Sequence, residues 1–432
     1  LILTMEVYLL WNGGIGTYIK SSLESNLDVG DKDNDNVRVE ASQVKAKVVG
    51  EGGNLGITQL GRIEYALKGG RINTDALDNS GGVDLSDHEV NLKILFDMLI
   101  KKGEITRIER DKILKNITPE VLSLVVQHNY HQSLAVSLDQ IRSQQRLDDF
   151  ISAIDFLEGC GALRRKEEFL PSDKELASRK QGYAGLTRPE LALLLAHMKL
   201  KAVHDLLNSE MMKEGYLKKY LFTYFPQEVQ KRFGKFIPLH PLREPIIATQ
   251  LVNKIVNQAG ITFLTEMIED TQESIPRIIR TYLIANEILG ADNYRQTLYQ
   301  LDYSISAYDQ YQALLAIEDT MARFVRWFLA FVPDLPLQEK AISKYYSSMK
   351  EIQKNLPQIL PQEKIKLLRE KEEHYLQIGM AKDLAQFLAS LSFLERGLDI
   401  IRISHKNKAD LIKTGRLHYQ VGEEFKINWL LE

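Results

Sequence analysis

Cysteine is almost missing from this sequence: the 432 residues include one, Cys160. A single thiol excludes an internal disulfide and a thiolate metal cluster, and it fits a reducing compartment, so a cytoplasmic location is expected. Long hydrophobic runs are missing too. None reaches the roughly 18 residues a membrane span needs, which excludes a single-pass helical anchor in this stretch. Neither sign of charge prevails, with 55 Lys and Arg against 58 Asp and Glu, a net charge of -3 and a pI near 6.4. Such a balance offers no overall attraction for nucleic acid or an anionic membrane. No fixed-period repeat is visible, so no solenoid is expected. The opening Leu1-Ile2-Leu3-Thr4 has neither an initiator methionine nor the basic start of a signal peptide, and it reads as a cut edge.

What is there is the composition of a soluble globular protein, 44% hydrophobic and 26% charged. The length predicts two or three domains. Residues 1 to about 100 mix strand and helix signals and hold most glycine clusters. Met5 to Trp11 reads as a buried strand stopped by Asn12-Gly13-Gly14, and Lys47 to Val49 as a second, stopped by Gly50-Glu51-Gly52-Gly53-Asn54. Thr58 opens a helix with Ile63, Ala66 and Leu67 on one face, closed by Gly69-Gly70. Arg71 to Thr74 is a third strand candidate, Asp78 to Gly82 a loop, and Ser86 the start of another helix. Strands alternating with helices, with glycine at strand ends, predict a parallel sheet of the nucleotide-binding type.

Beyond about residue 100 the pattern is helical. Thr118-Pro119 marks a helix start, and Ser172 with Glu175 and Thr187 with Glu190 read as capping boxes. Leu191, Leu194, Leu195, Met198 and Ala202 form an apolar stripe. Pro245 opens a helix to about Gly260 with Ile246, Ile247, Leu251 and Ile255 inward. The segment Ser21 to Ser42 is polar and acidic. Asp31, Asp33 and Asp35 have the spacing that begins a calcium loop, but Asn36 and Ser42 stand where that loop needs glycine and glutamate, so a solvated surface loop is expected.

Three segments, in order, resemble the end of the nucleotide domain of glutamate dehydrogenases: Leu9-Leu10-Trp11-Asn12-Gly13-Gly14-Ile15, Lys47-Val48-Val49-Gly50-Glu51-Gly52-Gly53-Asn54, and Asp75-Ala76-Leu77-Asp78-Asn79-Ser80-Gly81-Gly82-Val83. The wording at 11–18 and 83–91 is similar to the large NAD-specific form. So are Phe169-Leu170-Pro171-Ser172-Asp173, Gly185 to Leu191 and Ile246 to Leu251, and the stretch from Val421 to Leu430 resembles one the family continues beyond. Asn12 replaces the usual proline of its turn, and Asp87-His88 stand where half-size enzymes carry aromatics. The resemblance implies the C-terminal half of a Rossmann-like NAD-binding domain at 1–115, followed by a large helical domain at 116–432. It also implies NAD as cofactor, L-glutamate and 2-oxoglutarate as ligands, and a homo-oligomeric parent. No G-x-G-x-x-G follows a strand, and the family's catalytic lysine and aspartate motifs are missing. They are expected upstream of Leu1, so no catalytic residue is assigned and the chain by itself is expected to be inactive.

The resemblance assigns Gly13, Gly14, Asn54, Asn79 and Gly81 to the nicotinamide end of NAD, and Val83 and Ser86 to glutamate. Each has a plainer reading. An asparagine at the carboxyl end of a parallel strand can offer its amide to ribose or carboxamide, or simply close a tight turn. Glycines admit a planar ring closely or serve ordinary turn chemistry. Ser86 with Glu89 forms a Ser-x-x-Glu capping box, while a helix N-terminus also attracts a carboxylate. Lys47 reads as a strand-edge lysine and His88 as a helix-surface histidine. His128 and His131 have helical ligand spacing but no evident third ligand, so no metal is expected. Gln250, Asn253 and Asn257 make a polar stripe, a helix–helix packing seam by default or else an effector contact. An incomplete part of the dehydrogenase is the leading reading; a helical assembly or regulatory module, or a dehydrogenase of another amino acid, are the alternatives.

Overall fold

A computed structural model describes residues 1–182 and 184–425; the Asn428-Trp429-Leu430 end of the last resemblance lies outside them. The chain is mostly helical with a few short parallel strands, and it divides into two compact units, Leu1–Glu266 and Met267–Glu432.

In the first unit, β1 (Leu9–Asn12) pairs in parallel with β4 (Val48–Glu51), placing Leu9 opposite Val48 and Asn12 opposite Glu51. A second parallel pair joins β2 (Ile19–Lys20) and β3 (Val39–Glu40). Ile19, Val49, Ile57, Tyr65 and Ile72 form the apolar core under these strands. The first strand begins later than Met5, because Ile2–Thr4 close a 3-10 turn; pairing starts where Lys47 and Val48 donate to the carbonyls of Val7 and Tyr8. The third strand expected at 71–74 shrinks to a single parallel bridge between Arg71 and Val48. Asn73 is drawn away from the ladder by side-chain bonds to Asp78 and Arg188, and Thr74 already starts the next helix.

The helices of this unit are α1 (Asn26–Val29), α2 (Gln59–Leu67), α3 (Asp75–Asp78), α4 (Asp84–Lys101), α5 (Arg107–Gln145), α6 (Leu147–Gly159), α7 (Asp173–Gln181), α8 (Arg188–Leu207), α9 (Lys218–Tyr224), α10 (Gln227–Phe233) and α11 (Arg243–Ala259). Thr58 caps α2 by accepting from the Gly61 amide at 3.0 Å. Its buried face is Arg62, Ile63 and Tyr65; of the expected Ile63–Ala66–Leu67 face, Ile63 is buried and Ala66 packs against the core, but Leu67 is exposed. Tyr65 wins the inward position because its hydroxyl donates to the Ala46 carbonyl at 2.5 Å, giving a buried ring a satisfied polar end.

The helix expected to start at Thr118-Pro119 starts at Thr106, whose capping box with Glu109 opens α5. Pro119 lies inside it. Ile113, Ile117, Val121 and Val125 keep a continuous buried row on both sides of the proline, whose ring is exposed. Burial of that row offsets the missing amide bond. Residues 115 and 116 lie within this helix.

Both capping boxes at Ser172 and Thr187 are present, and all five residues of the α8 stripe are buried. Helix α11 begins at Arg243 with Pro245 in its first turn, and Gly260, at φ 97°, ends it. The 21–42 segment is less loose than a solvated loop. Arg38, with a side chain 0% exposed, pairs with Asp35 and donates to the Thr17 carbonyl. Asp31 accepts the Thr17 amide at 2.8 Å. Two of the three spaced aspartates are thus occupied by the chain's own cation and amides.

Helix α12 (Phe263–Thr271) contains the dividing point. The second unit then comprises α13 (Ile275–Leu289), α14 (Ala291–Tyr299), α15 (Ala307–Phe331), α16 (Glu339–Lys354), α17 (Leu356–Ile359), α18 (Gln362–Ile378), α19 (Lys382–Leu394), α20 (Gly397–Asn407) and α21 (Leu411–Glu424). Its core holds a buried polar knot. Arg295 donates to Glu318 at 2.6 Å, to Asn286 at 2.6 Å and to the Tyr282 hydroxyl at 3.0 Å. Among the described residues no helix is long and apolar enough to cross a membrane.

Candidate ligand rim at the strand ends

Strands β1 and β4 run in the same direction, so both deliver glycine-rich turns to one edge, the place where parallel sheets hold ligands. The first turn is Asn12-Gly13-Gly14 and the second Gly52-Gly53-Asn54. They touch. A Cβ at Gly53 would lie 2.2 Å from the Gly14 carbonyl oxygen, and one at Gly56 would lie 1.7 Å from the Asn12 amide nitrogen. Glycine there admits the neighbouring turn of the same chain. Gly13 sits against the Trp11 indole, whereas a Cβ at Gly14 or Gly81 would meet nothing within 4 Å among the described residues.

A buried charge fixes the second turn from below. Glu51 is fully buried, and Arg62 donates to both of its carboxylate oxygens, at 2.6 and 2.9 Å. The same guanidinium reaches Asp75 at 3.0 Å. Asp78 accepts the Glu51 amide at 3.1 Å, and Asp75 accepts the Leu55 amide at 2.8 Å. Asp78 is tied through Asn73 to Arg188 on α8, which donates to Asn73 at 2.8 Å. Burial pushes the Glu51 and Asp78 carboxyls up, against the opposing pull of Arg62 on Glu51 and of Asn73 on Asp78. The network anchors Gly50 to Leu55 and the short α3 to one another, so both asparagine-bearing loops share one foundation.

On top of it runs a chain of hydrogen bonds. Asn79 donates to the Asn54 side-chain oxygen at 2.8 Å, and its own oxygen accepts the Gly82 amide at 3.1 Å. Ser86 donates to the Gly82 carbonyl at 3.0 Å. Asn54, Asn79, Gly81, Val83 and Ser86 therefore occupy one continuous strip, with Gly14 reaching it through Gly53. Two local readings need correction. Asn79 follows the short helix α3 and ends no strand. Ser86 does not cap α4: that helix begins at Asp84 after Val83, so Ser86 lies inside the first turn and Glu89 pairs with Lys93 instead. The tight Gly81-Gly82 turn brings the helix start forward. Val83 and Ser86 are exposed. A separate cleft of about 830 Å³, lined by Tyr8, Lys47, Tyr65 and Arg71, opens at the opposite end of the same strands.

Sequence reading placed His88 on the helix surface, and the structure buries it completely. Its ring stacks on Tyr224 with centroids 4.3 Å apart. The signal was available: His88, Leu92, Leu95, Phe96 and Leu99 are the buried face of α4 at helical spacing. Burial pushes His88 down to about 4, with Asp84 opposing and His128 adding to the fall. His128 does not join His131; it meets Asp84, Nδ1 to Oδ2, at 2.9 Å. The Glu51–Arg62 foundation was also missed. Its only trace was a charged residue among the glycines that end the strand, and nothing in the spacing names the partner.

Residues 183–432 match the family model described as glutamate dehydrogenase, C-terminal, and residues 1–139 match bacterial NAD-glutamate dehydrogenase, catalytic domain. The chain is similar to proteins named NAD-specific glutamate dehydrogenase from three bacteria. With that of Pseudomonas aeruginosa it is 37% identical over 431 residues, 100% of this chain and 27% of the relative. With that of Halomonas elongata it is 34% identical over 431 residues, 100% and 27% respectively. With that of Mycobacterium tuberculosis it is 36% identical over 430 residues, 100% and 26%. The chain thus spans about a quarter of the length of the relatives it matches.

Proposed function

We infer, for a chain that belongs to the glutamate dehydrogenase C-terminal family, that it forms part of an NAD-dependent enzyme converting L-glutamate, NAD and water to 2-oxoglutarate, ammonia and NADH. Residues 1–115 are the end of its Rossmann-like nucleotide domain and 116–432 its helical C-terminal part. The parent is a cytoplasmic homo-oligomer.

One observation carries this reading: the hydrogen-bonded strip from Asn54 through Asn79 and Gly82 to Ser86 lies at the carboxyl ends of two parallel strands. The residues present fit one end of the dinucleotide. The amides of Asn54 and Asn79 supply the donors and acceptors that a carboxamide or ribose hydroxyl requires, and Gly14 and Gly81 leave open backbone beside them. Nothing in this chain has the glycine pattern of a phosphate turn. NAD, when bound, accepts the hydride from the substrate carbon.

The chain's own contribution is position. Asn79, held between Asn54 and the Gly82 amide, presents a fixed amide to the nicotinamide end. Ser86 turns its hydroxyl on the first turn of α4, where a helix N-terminus favours a substrate carboxylate. Asp84 and Asp87 in that turn work against the attraction. One oxygen of Asp84 is engaged by His128 Nδ1 at 2.9 Å, and burial pushes the Asp87 carboxyl up, with Asp84 adding to the rise. Val83, exposed beside Ser86, offers an apolar contact for the substrate's methylenes. Proton transfer belongs to groups outside this chain, so the isolated chain forms no NADH from glutamate.

The test is Asn54→Ala in the full-length enzyme. KM for NAD should rise about tenfold, the worth of one hydrogen bond near 1.4 kcal/mol, while KM for glutamate stays within about twofold. An unchanged KM for NAD contradicts the assignment.

A further inference from the structure

We propose that Asp84, His88 and His128 form a binding site for one divalent transition-metal ion of the zinc class, tying the first two turns of α4 to α5. The ligand atoms of the three side chains all lie within 4.8 Å of one another. Around a tetrahedral zinc with bonds of about 2.0 Å, donors sit roughly 3.3 Å apart, so closing the site asks for shifts of about an ångström in side chains alone.

The second observation is His88 itself. It is 0% exposed, and among the described residues neither ring nitrogen has a hydrogen-bond partner. A buried imidazole left unsatisfied at both nitrogens costs free energy that native structures seldom leave uncompensated. Its ring plane is fixed by stacking on Tyr224 at an interplanar angle of 12°. Its Nε2 faces Asp84 Oδ1 at 3.8 Å, too far for a hydrogen bond. Asp84 turns its other oxygen to His128 Nδ1 at 2.9 Å, so one carboxylate is shared between two imidazoles.

Chemistry and access agree with this. Asp84 and His88 are one helical turn apart, the spacing that puts two ligands on one face, and α5 supplies the third. Two imidazoles and a carboxylate suit zinc or cobalt better than calcium or magnesium, which prefer oxygen alone. The Asp84 and His128 side chains are 27% and 26% exposed, so the site opens on one side, leaving a fourth position for water. Ser86 lies in the same turn as Asp84. A cation there neutralises one of the two carboxylates in the first turn of α4.

The experiment strips the purified full chain with a chelator, titrates zinc by calorimetry, and repeats the titration with cobalt followed by visible absorption. One equivalent should bind, and cobalt should give the bands of a four-coordinate nitrogen and oxygen site. His128→Gln and Asp84→Asn, both at partly exposed positions, should each weaken binding at least about tenfold, whereas His131→Gln should not. His88→Gln should abolish it, with circular dichroism reporting whether that variant folds. No binding by the folded parent chain, or equal binding by the parent, His128→Gln and Asp84→Asn, would overturn the proposal.

Discussion

Asn79 hands one amide hydrogen to the side-chain oxygen of Asn54 over 2.8 Å, joining two loops 25 residues apart. The bond couples the turn after β4 to the loop before α4, so the two residues should act as a unit. Asn79→Ala in the full-length enzyme is expected to raise KM for NAD about tenfold, as Asn54→Ala does. The double variant should show less than the sum of the two losses, by about 0.5 kcal/mol or more. Strict additivity in steady-state kinetics speaks against coupling.

Beneath that bond, Arg62 neutralises a carboxylate that is completely enclosed. Arg62→Met strands Glu51 without its cation and should lower the stability of this unit by about 3–5 kcal/mol. Adding Glu51→Gln should recover much of the loss, because the burden is the unpaired charge. Calorimetric unfolding of the two variants separates this from simple loss of packing, in which the second substitution makes matters worse.

Glu64 gives a pH test. Burial raises its carboxyl, but the Ser22 amide, Lys68, Ser21 and the Ser22 hydroxyl together outweigh that and hold it at about 2. A folded pKa below the unfolded value contributes stability that is complete above about pH 4.5 and is lost as pH falls toward 2. Glu64→Gln should therefore cost about 1–3 kcal/mol at pH 7 and almost nothing near pH 2. Paired unfolding curves across that window check it; a cost independent of pH contradicts the ionic origin.

The strand-and-turn grammar of the first hundred residues was readable because glycine and asparagine at strand ends have few uses, and both turns fell where Asn54 and Gly13 predicted. Helix starts with a Ser or Thr box at 172 and 187 were equally plain. Ser86 shows the limit. Its Ser-x-x-Glu pattern is a good capping signal, yet the Gly81-Gly82 turn allowed α4 to begin three residues earlier, with Val83 in the cap position, and Lys93 took Glu89. Pro119 misled for a similar reason, since a local breaker yields when an exposed ring interrupts nothing in a buried row. His88 needed the whole α4 stripe to be weighed at once. The partners of Glu51 and Asp84 come from other elements, and one-dimensional spacing carries no record of such meetings.

Ser86 on the first turn of α4 is the residue on which the proposed substrate end of the strip depends, because the strip must hold substrate as well as cofactor. The deciding measurement is the steady-state kinetics of Ser86→Ala in the full-length enzyme, with glutamate and NAD varied separately. KM for glutamate should rise about tenfold, with KM for NAD unchanged. An unaltered KM for glutamate, or an equal rise in both constants, contradicts it.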